Sequence, residues 1–408
     1  MVHLWAIVGY GLFTMTVQSA RASRPADRRR QLIERAAELF VQRGYPHVSM
    51  ADIARAAGVT APSLYRHFTD KRDLLGAAVL TGVDDLEACT ERALATPGST
   101  EERVRALVEL IAKRPDSASL WRWTGAYLTD EQNRDVALRT RAVLRRWSDA
   151  LFRDAAELAD WERSQLVWAL LSVAGSSAVH TSRLSPTREI DELTNRALRL
   201  LNLRPAQAPP RLPGVPASPS TTRRDEILDA ASRLFAEREY ADVGVDEIGA
   251  AVGISGPSVY NHFSSKAAIL VGIGQRSAAR LEVGVMAAYG LSADPAEILA
   301  ALVDSYVTVI TATPDLSVSF NNSSALRNEP AATELLDSQR RYVARWIDLL
   351  AAAQGLTVAE SGVGVHAALS IVNDAVRLRR GTSRPEFGAQ MAHLMKGVLG
   401  ACVATVEP

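Results

Sequence analysis

The strongest constraint on this chain is an internal repeat. Pro62-Ser63-Leu64-Tyr65-Arg66-His67-Phe68 returns 195 residues later, without a gap, as Pro257-Ser258-Val259-Tyr260-Asn261-His262-Phe263. Aligned over Arg28–Leu75 and Arg223–Leu270, the copies are identical at 18 of 48 positions, among them Phe40/Phe235, Tyr45/Tyr240, Ile53/Ile248, Gly58/Gly253 and Lys71/Lys266. Self-similarity at one fixed spacing means one module built twice. Fainter echoes lie beyond these stretches: Pro115-Asp116 answers Pro314-Asp315, and Trp147-Ser148-Asp149 answers Trp346-Ile347-Asp348, both at an offset of 199. The duplication therefore covers whole proteins, and not only one segment of each.

A length of 408 residues suits two units of about 200, each able to bury a core of its own. The chain is rich in Ala, Leu and Arg and poor in aromatics, the residue balance that loses least on entering helices. An all-α fold is expected. The two cysteines, Cys89 and Cys402, form no CxxC and no Cys/His cluster, so neither a disulfide framework nor a metal site is expected, and no cofactor is implied. A reducing, cytoplasmic location fits.

Composition and punctuation divide the chain. Residues 1–25 are read as a disordered or mis-started extension: Leu4–Phe13 is apolar, but only His3 precedes it where a secretory signal wants basic residues, and it is too short to span a bilayer. Met15 is the alternative start. No other run approaches membrane-spanning length, so no membrane partner is expected. Residues 26–75 form a first head, 76–203 a first helical body, 221–270 a second head and 271–408 a second body. Between them, 204–220 carries Pro at 205, 209, 210, 213, 216 and 219 and is expected to be an extended, semi-rigid linker.

Within the first head, Leu32, Ile33, Ala36, Ala37, Leu39 and Phe40 share one face of a helix that Gly44 ends. Ser49-Met50-Ala51-Asp52 reads as a capping box opening a second helix through Ala57. Gly58-Val59-Thr60 breaks the chain, and Thr60 or Ala61 opens a short helix running to about His67, with Pro62 tolerated in its first turn. The second head repeats this order, with Gly256–His262 as its short helix. Lacking the serine, its preceding helix is expected to use Asp246 as cap.

Two short helices around a tight glycine turn make a helix-turn-helix, whose second helix fits the major groove of DNA. Small side chains at Thr60, Ala61 and Ser63 let the backbone approach bases. Tyr65 and His67 project one turn on, and Lys71 offers a charge to a phosphate. Arg28 and Arg29 suit either phosphate contact or a merely solvated helix start. A lone Tyr-x-His is more often structural; the same turn, hydroxyl edge and lysine in register twice favours DNA contact.

The string from Thr60 to Lys71, and its counterpart from Ser255 to Lys266, resembles the recognition segment of TetR-type transcriptional repressors. The resemblance implies two tandem all-α units, each a DNA head plus a larger helical body that binds a small apolar ligand and pairs subunits. By position it carries over Thr60, Ala61, Ser63, Tyr65, Arg66, His67 and Lys71, and Ser255, Gly256, Ser258, Tyr260, Asn261, His262 and Lys266, as DNA contacts. The tandem length and the Leu120-Trp121 and Ala126-Tyr127-Leu128 strings also resemble actinobacterial double-TetR regulators of lipid-import (mammalian-cell-entry) operons. Trp121 and Tyr127 are the candidates for a ligand pocket, with plain core packing as the alternative.

The two heads are electrically unlike. Arg21–Leu75 holds 11 Lys/Arg against 6 Asp/Glu, a balance of +5, whereas Ser220–Leu270 holds 5 against 8, a balance of −3. The first is expected to supply more of the salt-sensitive affinity. Since the reading edges also differ, a single chain whose two units pair internally is expected to occupy an asymmetric operator, with a homodimer as the alternative. An activator or an architectural DNA-binding protein is the competing reading. An enzyme is disfavoured, because the chain has no GxSxG, no glycine-rich phosphate loop after a strand and no metal-ligand spacing.

Overall fold

A computed structural model describes residues 25–95, 98–113, 120, 127–153, 155, 157–210, 222–238, 240–326 and 329–401. All regular structure among the described residues is helical. The chain divides into two compact units, residues 2–194 and residues 195–408.

The first unit opens with α1 (Pro25–Arg43), α2 (Met50–Ala56) and α3 (Ala61–Tyr65). A longer helix, α4 (Lys71–Ala95), leads into the body of α5 (Thr100–Lys113), α6 (Asp130–Leu151), α7 (Asp160–Ala174) and α8 (Pro186–Leu200), whose end falls in the second unit. Leu32, Ala36 and Phe40 of α1 meet Ile53, Leu64, Phe68, Leu74 and Leu75 in a core that continues to Val136 of α6, so head and body share buried surface. The expected capping box is formed: Asp52 N donates to Ser49 Oγ (3.1 Å) and Ser49 N to Asp52 Oδ2 (3.0 Å). In the body, Trp147 is fully buried and donates from Nε1 to Thr90 Oγ1 (3.0 Å), fastening α6 to α4.

The second unit repeats the plan with α9 (Arg223–Glu237), α10 (Val245–Ala251), α11 (Gly256–Val259) and α12 (Lys266–Leu291). Its body contains α13 (Pro295–Ala312), α14 (Asp315–Asn321), α15 (Ala332–Gln354), α16 (Val358–Arg377) and α17 (Phe387–Leu399). Ile227, Leu228, Phe235, Ile248, Val259 and Phe263 form the head core, again continuous with body residues such as Val318 and Leu335. Deeper in the body Tyr306, Tyr342 and Trp346 are buried together, with ring centroids about 6 Å apart, and Tyr306 Oη donates to Asn373 Oδ1 (2.7 Å).

Three expectations are corrected. The linker does not run extended from its start: residues 205–207 make a turn of 3-10 helix, with Pro205 buried against α17, because proline's fixed φ suits such a turn as well as an extended chain. Asp246 does not cap α10. That helix opens at Gly244, whose amide donates to Glu247 Oε2 (2.8 Å), so the carboxylate three residues on does the work. Finally, α13 is long and apolar enough to cross a membrane, contrary to the expectation for the rest of the chain; half of that stretch is buried inside the second unit, as in a core helix.

Candidate nucleic-acid interface

In each head a left-handed glycine makes the turn between the two short helices. Gly58 has φ +65° and Gly253 φ +71°, a conformation that costs other residues strain. The chain then folds back on the helix it leaves: Val59 N donates to Ala54 O and Ile254 N to Gly249 O, both at 2.9 Å. Gly44 serves the end of α1 in the same way, at φ +81°. Glu239, at the matching place in the second head, lies outside the described residues, and α9 stops at Glu237 with Arg238 extended.

The turn sets the second short helix with one edge inward and one outward. Leu64 and Val259 are fully buried, and Phe68 and Phe263 nearly so, anchoring the inner edge. On the outer edge Tyr65 and Tyr260 are each 54% exposed, large rings left in solvent at the same place twice. Thr60, Arg66, Ser255 and Asn261 are exposed, while Ala61, Ser63, Ser258, His67 and His262 are half-buried. Both helices are shorter than expected, ending at Tyr65 and Val259. The next residues tighten into i→i−3 bonds, such as His67 N to Leu64 O (3.0 Å) and His262 N to Val259 O (2.9 Å), which keep the histidines on the same rim.

Several residues picked for DNA contact have structural duties that the sequence did not reveal. Lys71 Nζ donates to Tyr45 O (2.9 Å) and sits 4.3 Å from the Tyr45 ring centroid. Lys266 Nζ donates to both Val243 O (2.7 Å) and Ala241 O (3.3 Å) and sits over Tyr240. Partial burial pulls both ammonium groups below the usual lysine range, and it raises Tyr240 to about 12. Each lysine thus ties the start of the long helix to the turn before α2 or α10. With three donors per ammonium, Lys71 keeps two for an outside anion and Lys266 one.

The arginines at the start of each head also face inward. Arg29 stacks on Phe68 (4.9 Å) and Arg224, absent from the sequence-based candidates, on Phe263 (4.0 Å) while donating to His262 O (2.5 Å). Arg223 reaches Val252 O (3.0 Å) at the end of α10. Arg28 is half-buried at the start of α1.

The rims differ most at Gly256. It is buried, and a Cβ there would fall 1.7 Å from Asp246 Oδ1. The first head has Ala51 and Ala61 at these two places, so the carboxylate of Asp246 occupies the volume that the Ala61 methyl takes in the other copy. Ser255 and Ser258 share a hydroxyl hydrogen bond (2.8 Å) along this edge. Glu247 adds a second carboxylate near the rim, held as an anion down to about 2 by its hydrogen bonds from Arg238 and the Gly244 amide.

Of the two ligand candidates, Trp121 lies outside the described residues. Tyr127 is half-buried, and its ring lies 4.6 Å from that of Tyr45, against the head core. Trp147 and Trp168 are buried core residues. Among the described residues no group of His, Cys, Asp and Glu is placed to hold a metal ion.

Two helix-turn-helix heads with matching inner scaffolds and unlike outer rims define the class of protein. Residues 32–78 and 227–273 each match the tetR family of bacterial regulatory proteins. The chain belongs to that family through both heads, a family of regulators and not of enzymes. It is similar to the transcriptional activator FasR of Mycolicibacterium smegmatis, 35% identical over 132 residues that make up 31% of this chain and 59% of FasR. It is also similar to the transcriptional repressor KstR2 of the same species, 29% identical over 140 residues, 33% of this chain and 68% of KstR2. The chain thus spans less than two thirds of FasR. A crystal structure of a TetR/AcrR-family regulator from Thermobifida fusca is 30% identical, with a TM-score of 0.33, covering 43% of this chain and 97% of that one.

Proposed function

We propose that this chain is a sequence-specific DNA-binding transcriptional regulator, a repressor released by a small apolar, lipid-like ligand, whose two heads read the unlike halves of one operator. The observation that carries this reading is the pair of tyrosines, Tyr65 and Tyr260, held equally far out into solvent on two independently anchored recognition helices. Side chains so exposed add nothing to the core; their repetition is explained by an outside partner. Thr60, Ala61, Ser63, Arg66 and His67, with Ser255, Gly256, Ser258, Asn261 and His262, share the rims and would meet base edges and phosphates. Lys71, Lys266, Arg28 and Arg29 would add phosphate contacts.

The differences between Ala61 and Gly256, and between Arg66 and Asn261, support an operator without twofold symmetry. Pairing of the two units within one chain is supported by the short connection, which keeps the partner's effective concentration high. The ligand is proposed to lie in the bodies, where apolar helices and rings such as Tyr306, Tyr342 and Trp346 would suit a lipid-like molecule. It would act by binding better to a body whose head is turned off DNA. The likeness to KstR2 supports repression, while that to FasR supports a second reading as an activator.

Selection of duplexes from a random library by the purified chain, followed by footprinting and mass measurement, tests the reading. One chain on a site with two unlike halves is expected, and Tyr65→Ala and Tyr260→Ala should each weaken a different half. Failure to retard any duplex even at low ionic strength overturns it. A reporter beside the selected site then separates repression from activation.

A further inference from the structure

We infer that Arg276 and Arg280 are positioning residues that lock the second head to its body, a lock the first head does not possess. Asp315, at the start of α14, is 1% exposed, so its charge must be met inside the protein. Arg276 of α12 meets it with two parallel bonds, Nε to Oδ2 (2.8 Å) and Nη2 to Oδ1 (3.0 Å). Its remaining nitrogen, Nη1, lies 2.7 Å from Oδ1 of Asp229, on α9 of the DNA head. Arg280, one turn further along α12, donates from Nη1 to Asp315 Oδ2 (2.8 Å) and Thr313 Oγ1 (3.0 Å). One guanidinium therefore joins head, connecting helix and body. Because this planar fork spends its donors in fixed directions, it sets an angle as well as a distance.

A second tether stands apart from the first. Arg379, just beyond α16, has φ +49°, a left-handed conformation rare outside glycine. It donates from Nη2 to Ala236 O (3.0 Å) in the last turn of α9, where helix carbonyls lack partners within the helix. The second head is thus held at the middle and at the end of its first helix.

In the first unit the bridge cannot form. The offset of 195 along the continuous helices α4 and α12 places Thr81 and Asp85 where Arg276 and Arg280 stand, and Glu34 where Asp229 stands. Thr81 Oγ1 donates to Ala77 O within its own helix (2.8 Å), and Glu34 pairs with Arg30 of α1 (3.2 Å). No cation is available there to join α1 to the body. The second head is consequently the fixed half of the grip, and the first is the half that swings.

This inference rests on the DNA-binding reading only for its consequence, so the experiment separates the two. In the full chain with Cys89→Ser and Cys402→Ser, paired spin labels at Arg233→Cys and Arg341→Cys report head against body in the second unit, and labels at Arg35→Cys and Arg145→Cys do so in the first. All four positions are exposed. The distance distribution of the second pair is expected to be the narrower. Asp229→Ala, at a side chain 45% exposed and so spared a burial penalty, should widen it to match the first pair, and Asp229→Glu should restore it. Equal widths in the parent protein, or no response to Asp229→Ala, would overturn the lock. Against the duplex selected by the parent protein, Asp229→Ala should bind about tenfold more weakly and tolerate altered half-site spacing better, which a mere loss of fold stability does not produce. If the parent selects no duplex, the DNA reading fails while the label widths still decide the lock.

Discussion

Gly256→Ala is the sharpest test of how the second rim is built, because the chain contains its own control. The new methyl would lie 1.7 Å from Asp246 Oδ1, 2.8 Å from its Cγ and 3.1 Å from its Cα. The carboxylate can swing aside, but the Cα cannot, so the backbones of α10 and α11 must separate slightly. Overpacking of this kind costs about 1–3 kcal/mol. Against that, alanine in place of glycine in a helix gains up to about 1 kcal/mol, and no left-handed backbone forbids it here. The single variant should lose about 1–2 kcal/mol. In an Asp246→Ala background the obstacle is gone, as it is in the first head with Ala51 and Ala61, and the same change should gain up to about 1 kcal/mol. The coupling between the two positions is therefore expected at about 1–3 kcal/mol. Guanidinium unfolding of all four proteins measures it, and in a unit of this size each kcal/mol also moves Tm by about 2–4 °C. Equal effects of Gly256→Ala in both backgrounds would show that Asp246 does not fill the space over the recognition helix.

Other outcomes follow from the same geometry. Lys71→Met should lower the slope of log affinity against log salt by about 0.9, the share of one phosphate contact, and Lys266→Met by less, because Lys266 already spends two donors on carbonyls; a larger fall for Lys266 would refute the donor count. Tyr306→Phe should cost about 1–3 kcal/mol in urea unfolding, since it leaves the side-chain oxygen of Asn373 buried without its donor; an unchanged midpoint would count against that bond. Burial pushes the His180 imidazole down to about 4. The unfolded chain takes up the proton near 6.5 and the folded chain does not, so stability should fall as pH drops from about 6.5 to 4, by about 3 kcal/mol in all. Asn in its place should flatten that part of the stability profile, and a profile unaffected by the substitution would sink the assignment.

The helical architecture was legible because its signals are local. Ser49 with Asp52 names a helix start, Gly58 and Gly253 name a turn, and the apolar face from Leu32 to Phe40 names a core. What stayed hidden were choices made between partners distant in sequence. Lys71 reads as a phosphate ligand because a lysine opening a helix beside a DNA head has that charge to offer. Its bond to Tyr45 O depends on a turn 26 residues away closing over it. Arg224 was overlooked for the opposite reason, since a cation placed over Phe263 leaves no periodicity to find. The exchange of Ala51 and Ala61 for Asp246 and Gly256 is visible in the aligned copies, but only the packed helices show that one substitution makes room for the other. The recognition helices ended early for a similar reason: propensity favours continuation through His67, while the burial of Phe68 demands a tighter last turn.

The comparison of the copies separates what the head needs to fold from what it needs to recognise. Positions common to both are those that make the scaffold: the turn glycines, the cation over each tyrosine, the arginine over each phenylalanine, and the buried Phe68 and Phe263. The exceptions are the exposed Tyr65 and Tyr260, which the scaffold does not require. Positions that differ lie on the rim or in the joint to the body, where Arg66 faces Asn261, Ala61 faces Gly256, and Thr81 faces Arg276. If the two heads gripped identical half-sites in the same way, nothing physical would favour divergence at the rim and in the joint together. A basic head on a loose joint and an acidic head on a locked one form a consistent division of labour. Strong, salt-dependent attraction makes up for the ordering cost of a mobile head, whereas a head already held at its angle has less of that cost to meet and can tolerate the repulsion of Asp246 and Glu247.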